Sequence, residues 1–208
     1  MRKGIPFIVS GPSGGGKTTL AKGVLEKLDN LKFSVSCTTR KPREGEIDGR
    51  DYKFISEAEF NKMVQEGRFI EHALVHENYY GTPVEEFENA RSSGVEILLD
   101  IDVQGASQIR KNYPEAVFCF VLPPSFEILK HRLIDRNRDS DGDSDIDKRL
   151  IRAKEEIEEL NSENYNYIII NDNLDEALEC LSSIIVSSRC KSRRILEKVK
   201  ANFFSRIK

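Results

Sequence analysis

Residues 11–18 read Gly11-Pro12-Ser13-Gly14-Gly15-Gly16-Lys17-Thr18, with a second threonine, Thr19, directly after them. The stretch matches the pattern G-x-x-x-x-G-K-[ST], whose glycines let successive backbone N–H groups turn inward toward phosphate oxygens. An apolar run, Pro6–Ser10, precedes it, and Leu20, Val24 and Leu28 follow at helical spacing. A strand, a glycine-rich loop and a helix in this order predict a phosphate-binding loop at a helix N-terminus.

The end of this loop carries two side chains with distinct expected roles. Lys17 should reach the β- and γ-phosphates of a nucleoside triphosphate, and the Thr18 hydroxyl is placed to bind Mg²⁺. We expect the whole stretch from Gly11 to Thr19 to contact ATP. The loop alone does not separate kinases from GTPases and other ATPases, because all of them use it.

The composition of the 208-residue chain is that of a soluble globular protein, with 38% hydrophobic and 32% charged residues. No apolar run approaches the roughly 20 residues that span a membrane. The four cysteines are scattered without a C-x-x-C pair, which favours reduced thiols and a cytoplasmic location. A net charge of −3 disfavours nucleic acid as a partner.

Short apolar runs alternate with amphipathic stretches along most of the chain. Strands are predicted at Pro6–Ser10, Val95–Asp100, Val117–Leu122 and Tyr167–Asn171. Helices are predicted after the loop, and near the end from the spacing of Ala177, Leu181, Ile184 and Ile185. This order indicates an α/β fold of three layers with a parallel central sheet.

The alternation breaks between Lys32 and about Tyr80, where short strands at Phe33–Cys37, Tyr52–Ile55 and Phe69–His72 surround one helix. Ser56 with Glu59 predicts the N-terminus of that helix as a capping box. Thr82 followed by Pro83 predicts the N-cap of the next core helix. We therefore divide the chain into a core (1–33, 83–124 and 157–208), an inserted α+β lobe (34–82) and a lid region (125–156).

The inserted lobe carries Arg40 and Arg43, followed by Tyr52. Arginine pairs suit the capture of a phosphate dianion, although a solvated basic loop would look similar. A short strand then presents a single carboxylate, Glu71, and the lobe closes through Asn78-Tyr79-Tyr80-Gly81-Thr82. These motifs, together with residues 98–105 and 170–173, resemble the guanylate kinase family over nearly the whole chain.

The resemblance implies a transfer of the γ-phosphoryl group of ATP to GMP or dGMP, with Mg²⁺, in purine nucleotide metabolism. It implies that Arg40, Arg43, Tyr52 and Tyr80 hold the acceptor phosphate. It also implies that the guanine base is read by Ser36, Glu71 and Thr82. The last role makes chemical sense, because guanine presents two donors, N1–H and the 2-amino group, to one carboxylate. Adenine presents a lone pair there and would leave the buried charge of Glu71 unpaired.

Asp100 and Asp102 lie where a buried strand ends, at the sheet edge that faces ligands in α/β folds. We expect Asp100 to take part in catalysis and in GMP binding, and Asp102 to hold Mg²⁺ through water with Thr18. The sequence does not divide these roles between the two carboxylates. A helix cap at Asp100 is disfavoured, because no helix pattern starts directly after it.

The lid region carries arginines that in the family close over the ATP phosphates, matching Arg132, Arg136 and Arg149. Arg136 and Arg149 are assigned to catalysis and Arg132 to ATP, together with Asn171 farther along the chain. The family usually has glycine where this chain has Asn137, a residue that also tolerates left-handed backbone angles. Arg138, directly after it, is an alternative to Arg136 for this role. Residues 139–147 are strongly acidic and predict a solvated flap, since an EF-hand would need glycine at Ser144 and glutamate at Leu150.

Two other activities remain as alternatives. Domains like those of guanylate kinases also serve as peptide-binding scaffolds, but a scaffold has no need of an intact Gly16-Lys17-Thr18. A kinase for AMP or UMP is the other alternative. His72 and His76 lack a third zinc ligand. The basic tail from Arg189 to Lys208 could contact RNA or an acidic surface, or pack in a homo-oligomer.

Overall fold

The computed structural model describes residues 3–75, 77–138, 146–158, 160–161 and 163–204. Its first half contains β1 (Pro6–Ser10), α1 (Lys17–Lys27), β2 (Leu31–Phe33), β3 (Cys37–Thr38), β4 (Lys53–Phe54), α2 (Glu57–Gln65), β5 (Phe69–Val75), β6 (Asn78–Pro83) and α3 (Val84–Ser92). Its second half contains β7 (Glu96–Asp100), α4 (Val103–Asn112), β8 (Val117–Leu122), α5 (Phe126–Arg138), α6 (Ile146–Glu158), β9 (Tyr167–Ile170), α7 (Leu174–Arg189) and α8 (Ser192–Phe204).

The central sheet has five strands in the order β2-β7-β1-β8-β9, all of them parallel. Side chains alternate across β1, so that Phe7 and Val9 face one layer of helices and Ile8 faces the other. Helices α1 and α7 cover the first face, and α3 and α4 cover the second. This confirms the predicted three-layer α/β fold and its parallel sheet, and it leaves the carboxyl ends of β1 and β7 side by side.

A second sheet, in the order β4-β3-β6-β5, forms from the inserted segment. Helix α2 packs on it through Phe60, whose ring stacks on Phe69 and Tyr79 at centroid distances of 4.6 and 5.3 Å. Ser56 is confirmed as the N-cap of α2, because its Oγ accepts a hydrogen bond of 3.2 Å from the backbone N–H of Glu59. The inserted α+β unit therefore has a small apolar cluster of its own.

Two local predictions around this lobe were wrong. The strand expected at Phe33–Cys37 is two strands, because β2 ends at Phe33 in the central sheet and β3 begins at Cys37 in the lobe. Thr82 is not the N-cap of α3: it lies in β6 opposite Glu71, and Pro83 takes the N-cap position. Thr82 is held in the strand by its hydroxyl bond to Glu71, which propensity for helix caps does not anticipate.

Helices α5 and α6 of the lid region meet through a small apolar cluster of Leu129, Leu133, Leu150 and Ala153. The acidic segment at 139–145 and His76 lie outside the described residues. Within the part of the chain that the structure describes, no helix is both long and apolar enough to cross a membrane.

Candidate functional site

The phosphate loop lies between the end of β1 and the start of α1, as expected from the sequence. Gly16 is the N-cap of α1 and has a left-handed φ of 91°. A Cβ at this position would come within 2.1 Å of Asn171 Nδ2, so both the backbone angle and the close approach require glycine. The loop thus places the N-terminus of α1 at the carboxyl edge of the central sheet.

Asn171 and Lys17 brace this loop from opposite ends of the sequence. The buried Asn171 donates from Nδ2 to Gly15 O at 2.9 Å, and its backbone carbonyl accepts from Arg132 Nη2 at 3.0 Å. Lys17 Nζ donates to the carbonyls of Gly11 and Pro12 at 2.7 and 3.0 Å. The structure therefore brings together the predicted ATP residues from the loop, from α5 and from the end of β9.

The phosphate loop is joined to the neighbouring strand β7 by Thr18, whose hydroxyl donates to Asp100 Oδ2 at 2.5 Å. A hydroxyl and a carboxylate are hard oxygen ligands, which Mg²⁺ takes together with phosphate oxygens and water. No cluster of three or more histidine, cysteine or acidic side chains suited to a metal occurs among the described residues. The pair of Thr18 and Asp100 fits a magnesium ion that is bound chiefly through nucleotide phosphates.

Asp102 has other partners in this structure. It is the N-cap of α4, where Oδ1 accepts from the backbone N–H of Gly105 at 2.9 Å. Its other oxygen accepts from Arg152 Nη2 at 3.0 Å. The metal role assigned to Asp102 stays a prediction, and the hydrogen bonds favour Asp100 as the carboxylate nearest to Thr18.

Ser36, Glu71 and Thr82, which were predicted to read the base, form a buried polar group in the lobe. Thr82 lies opposite Glu71 on paired strands and donates from Oγ1 to Glu71 Oε1 at 2.5 Å. Ser36 Oγ lies 3.2 Å from Thr82 Oγ1. The three side chains are 8%, 3% and 0% exposed, respectively, so they form a polar site enclosed by protein.

Burial raises the pKa of Glu71 to about 7, with Asp102 adding to the effect and the Thr82 hydroxyl opposing it. Helix α4 encloses the same carboxylate, since a Cβ on Gly105 would lie 2.4 Å from Glu71 Oε2. The strand and the helix are also fastened by Gln108, which bonds to both the N–H and the carbonyl of His72 at 3.1 and 2.7 Å. The core helix α4 therefore packs directly against the buried carboxylate of the lobe.

Arg40, Tyr52 and Tyr80, which were predicted to hold the acceptor phosphate, contact one another in the lobe. Arg40 Nε donates to the Tyr80 hydroxyl at 3.1 Å, and the Arg40 guanidinium lies 5.0 Å from the centre of the Tyr52 ring. Burial, with the nearby charge of Asp100, raises the pKa of Tyr52. Arg43 is exposed on the same loop. The structure thus brings Arg40, Tyr52 and Tyr80 together, and Asp100 lies close enough to Tyr52 to influence its pKa.

The lid arginines are described only in part. Arg132 on α5 bonds to Asn171, and Arg149 lies partly exposed on α6. Arg136 belongs to α5, but its side chain lies outside what the structure describes, as does the flap at 139–145. Arg152, one turn beyond Arg149, bonds through Nε to Glu156 Oε1 at 3.2 Å as well as to Asp102.

The sequence analysis did not identify the acidic partners of Arg40, Arg152 and Lys22. Glu46 forms a bidentate pair with Arg40, and Glu156 pairs with Arg152. Asp51 joins the lobe to α1 by accepting from Lys22 Nζ at 2.9 Å. A spacing of four residues on a helix could have indicated the pair of Arg152 and Glu156. The other two pairs cross loops or separate elements and leave no local pattern.

A nucleotide-phosphate loop that faces a lobe of arginine, tyrosine and buried carboxylate groups is the arrangement of a P-loop nucleotide kinase. The guanylate kinase family model matches residues 3–188. The chain therefore belongs to the guanylate kinase family.

Similar proteins cover nearly the full length on both sides. The chain is 47% identical to the guanylate kinase of Geobacter metallireducens over 202 residues, covering 97% of this chain and 98% of that protein. It is 42% identical to the guanylate kinase of Caldanaerobacter subterraneus, covering 93% of this chain and 92% of that protein. A crystal structure of guanylate kinase from Anaplasma phagocytophilum is 33% identical, with a TM-score of 0.80 over 98% of this chain and 96% of that one.

Proposed function

We propose that this chain is an ATP:GMP phosphotransferase, which converts ATP and GMP (or dGMP) into ADP and GDP. The observation that carries the proposal is the buried Glu71, bonded to Thr82 and enclosed by α4. A carboxylate in this setting is matched to the N1–H and 2-amino donors of guanine. Among common nucleobases it disfavours adenine, whose N1 lone pair would leave the buried charge unpaired.

The donor side of the proposed reaction rests on the phosphate loop. Backbone N–H groups from Gly11 to Thr19 hold the ATP phosphates, and Lys17 exchanges its bonds to the loop carbonyls for phosphate oxygens. Arg132 and Asn171, which are joined to each other and to Gly15, support the same nucleotide. Magnesium, when bound by Thr18 and Asp100, neutralises phosphate charge on the donor.

The acceptor side rests on the lobe. Arg40, Arg43, Tyr52 and Tyr80 hold the GMP phosphate, whose oxygen is already anionic near neutral pH. A strong general base is therefore not needed, and the reaction depends on positioned positive charge around the transferred group. Arg136 and Arg149 supply that charge from the lid region. Asp100 lies between the two sides, because it accepts a bond from Thr18 and its charge acts on Tyr52 of the lobe.

The proposal extends to the location of the protein and to the division of the chain. Scattered cysteines are typical of a reducing compartment, which supports a cytoplasmic location. The proposed division into a core, a lobe at 34–82 and a lid region at 125–156 follows the two sheets and the α5–α6 pair. A homo-oligomer formed through the C-terminal tail stays a prediction.

A coupled assay that detects ADP formation tests this function directly. With ATP and Mg²⁺, we expect turnover with GMP and dGMP, and far slower turnover with AMP, UMP and CMP. Comparable rates with AMP would refute the role of Glu71. An absence of turnover with every monophosphate would instead favour a binding scaffold that retains the loop.

A further inference from the structure

The guanidinium group of Arg40 is surrounded by bonding partners inside the lobe. Nε donates to the Tyr80 hydroxyl, and Nη1 donates to the Lys41 carbonyl at 2.9 Å. Glu46 takes two further N–H groups in a bidentate arrangement, in which Nη1 to Oε2 and Nη2 to Oε1 each measure 2.7 Å. Parallel bonds of this length between arginine and a carboxylate are strong and directional.

These bonds limit what Arg40 can offer to a phosphate. A guanidinium carries five N–H groups. Nε has one, which bonds to Tyr80, and both N–H groups of Nη1 are used by Lys41 and Glu46. Among the described residues, one N–H of Nη2 is left over after its bond to Glu46. While Glu46 stays in place, Arg40 therefore gives a phosphate one hydrogen bond of fixed direction rather than two.

Glu46 is itself fixed, which argues that it stays. Its Oε2 atom also accepts a bond of 2.8 Å from the backbone N–H of Arg43. The bond from Arg40 lowers the pKa of Glu46, so the carboxylate is ionised at neutral pH. The side chains of Arg40 and Glu46 are only 10% and 19% exposed. Separating the pair would strand a partly buried charge, which is costly.

The same arrangement orients Tyr80. Because the Tyr80 oxygen accepts from Arg40 Nε, its own hydrogen points away from Arg40 and can be donated to an anion. The ring of Tyr52 packs edge-on against Tyr80 at 5.8 Å and lies against the Arg40 guanidinium. Phe54 lies on the same guanidinium at 5.7 Å. Packing and hydrogen bonds thus fix both donors at once.

We propose that Glu46 is a positioning residue for the phosphate of the acceptor nucleotide. By holding Arg40, it directs one Nη2–H and the Tyr80 hydroxyl toward that phosphate, while it does not contact the substrate itself. The inference rests on the proposed function, since it takes the acceptor to be GMP. The opposite role, in which Glu46 occupies the place of the phosphate and must be displaced, predicts effects of the opposite sign.

The variant Glu46→Gln tests this role, with Glu44→Gln as a matched control on the same loop, where Glu44 is exposed. Two ligands distinguish an effect on phosphate binding from an effect on base binding. They are GMP, and guanosine as a competitive inhibitor that lacks the phosphate. In E46Q we expect the KM for GMP to rise roughly tenfold, as loss of an oriented charge-assisted bond implies. The guanosine inhibition constant and the KM for ATP should stay within about twofold, and E44Q should match the wild type.

A lower KM for GMP in E46Q would show that the phosphate must displace Glu46, and it would overturn the proposal. Equal weakening of guanosine and GMP would also overturn it, because a general disruption of the lobe would then explain the loss. An unchanged KM would do the same. Thermal unfolding checks that E46Q is folded; if it is not, Glu46→Asp carries the same test with the same expected signs.

A double-mutant cycle asks whether Glu46 acts through Arg40. In an Arg40→Met background, adding E46Q should change the KM for GMP by less than about twofold, because the group to be positioned is gone. A full tenfold effect in that background would contradict a positioning role. If the wild type fails to phosphorylate GMP, the proposed function fails. In that case calorimetric affinities for GMP and guanosine replace KM and still decide the role of Glu46.

Discussion

The donor loop and the acceptor lobe are built in different ways. The loop is one contiguous stretch, from Gly11 to Thr18, that presents backbone N–H groups between a strand and a helix. The lobe gathers side chains from distant segments, such as Ser36, Glu71 and Thr82, and its carboxylate is enclosed by a helix of the core. A site made of backbone depends on local geometry, whereas a site made of gathered side chains depends on how separate elements pack.

Lys17→Met should give the largest effect and confine it to the donor side. Loss of the positive charge at the γ-phosphate is expected to lower kcat by about a thousandfold. Guanosine binding should change by less than about twofold, because among the described residues Lys17 bonds to Gly11 and Pro12 and not to the group around Glu71. Steady-state kinetics and guanosine inhibition measure both quantities, with Lys27→Met on the exposed face of α1 as the control. Activity near that of the wild type would refute the donor assignment.

Gly105→Ala, a change in the core helix α4, should lower activity with the acceptor nucleotide. The new Cβ would lie 2.4 Å from Glu71 Oε2, so the carboxylate must move. A displacement of about an ångström at a reacting site can cost roughly a hundredfold, and we expect that loss in kcat/KM for GMP. The KM for ATP should not change.

Ser107→Ala is the matched control for this variant, because Ser107 is exposed on the same helix. Alanine is the better helix former by roughly 1 kcal/mol, so G105A should not unfold α4. If G105A keeps full activity with GMP, then α4 does not shape the base pocket.

The pH dependence of guanosine binding should give a smaller effect, again confined to the lobe. The pKa of Glu71 is raised to about 7, so the carboxylate is ionised above that pH and protonated below it. Protonation places an O–H against the donors of guanine. Between pH 8 and pH 6 the guanosine inhibition constant should therefore rise about tenfold.

Guanosine is the appropriate probe for this pH effect, since it lacks the phosphate whose own pKa lies near 6. Glu71→Gln should bind guanosine more weakly at pH 8 and show no such slope. A flat profile in the wild type would mean that Glu71 does not change its charge in this range.

The two halves also differ in how far the sequence predicted them. The loop, its flanking strand and its helix were predicted in full, because glycine spacing and apolar periodicity are local properties. The parallel arrangement of the central sheet is not a local property, but strands that alternate with helices indicate it. The three-layer fold was therefore predicted correctly.

The lobe was predicted less completely. The roles of Arg40, Glu71 and their neighbours were implied by the family resemblance and stay predictions. The strand at Phe33–Cys37 was wrong because the chain passes there from one sheet to the other. Thr82 resembles a helix cap in sequence, but it lies in a strand because its hydroxyl donates a hydrogen bond to Glu71. Such a contact depends on which segments meet, so no window of sequence contains it.

The central claim is that one buried carboxylate in the lobe selects the base, and a series of monophosphates tests it most directly. GMP offers two donors to Glu71, IMP lacks the 2-amino group, and AMP also replaces N1–H with a lone pair. We expect kcat/KM in the order GMP, IMP, AMP, with each step costing about tenfold or more. In Glu71→Gln this spread should narrow. Equal values for GMP and AMP in the wild type, or an undiminished spread in the variant, would contradict the account.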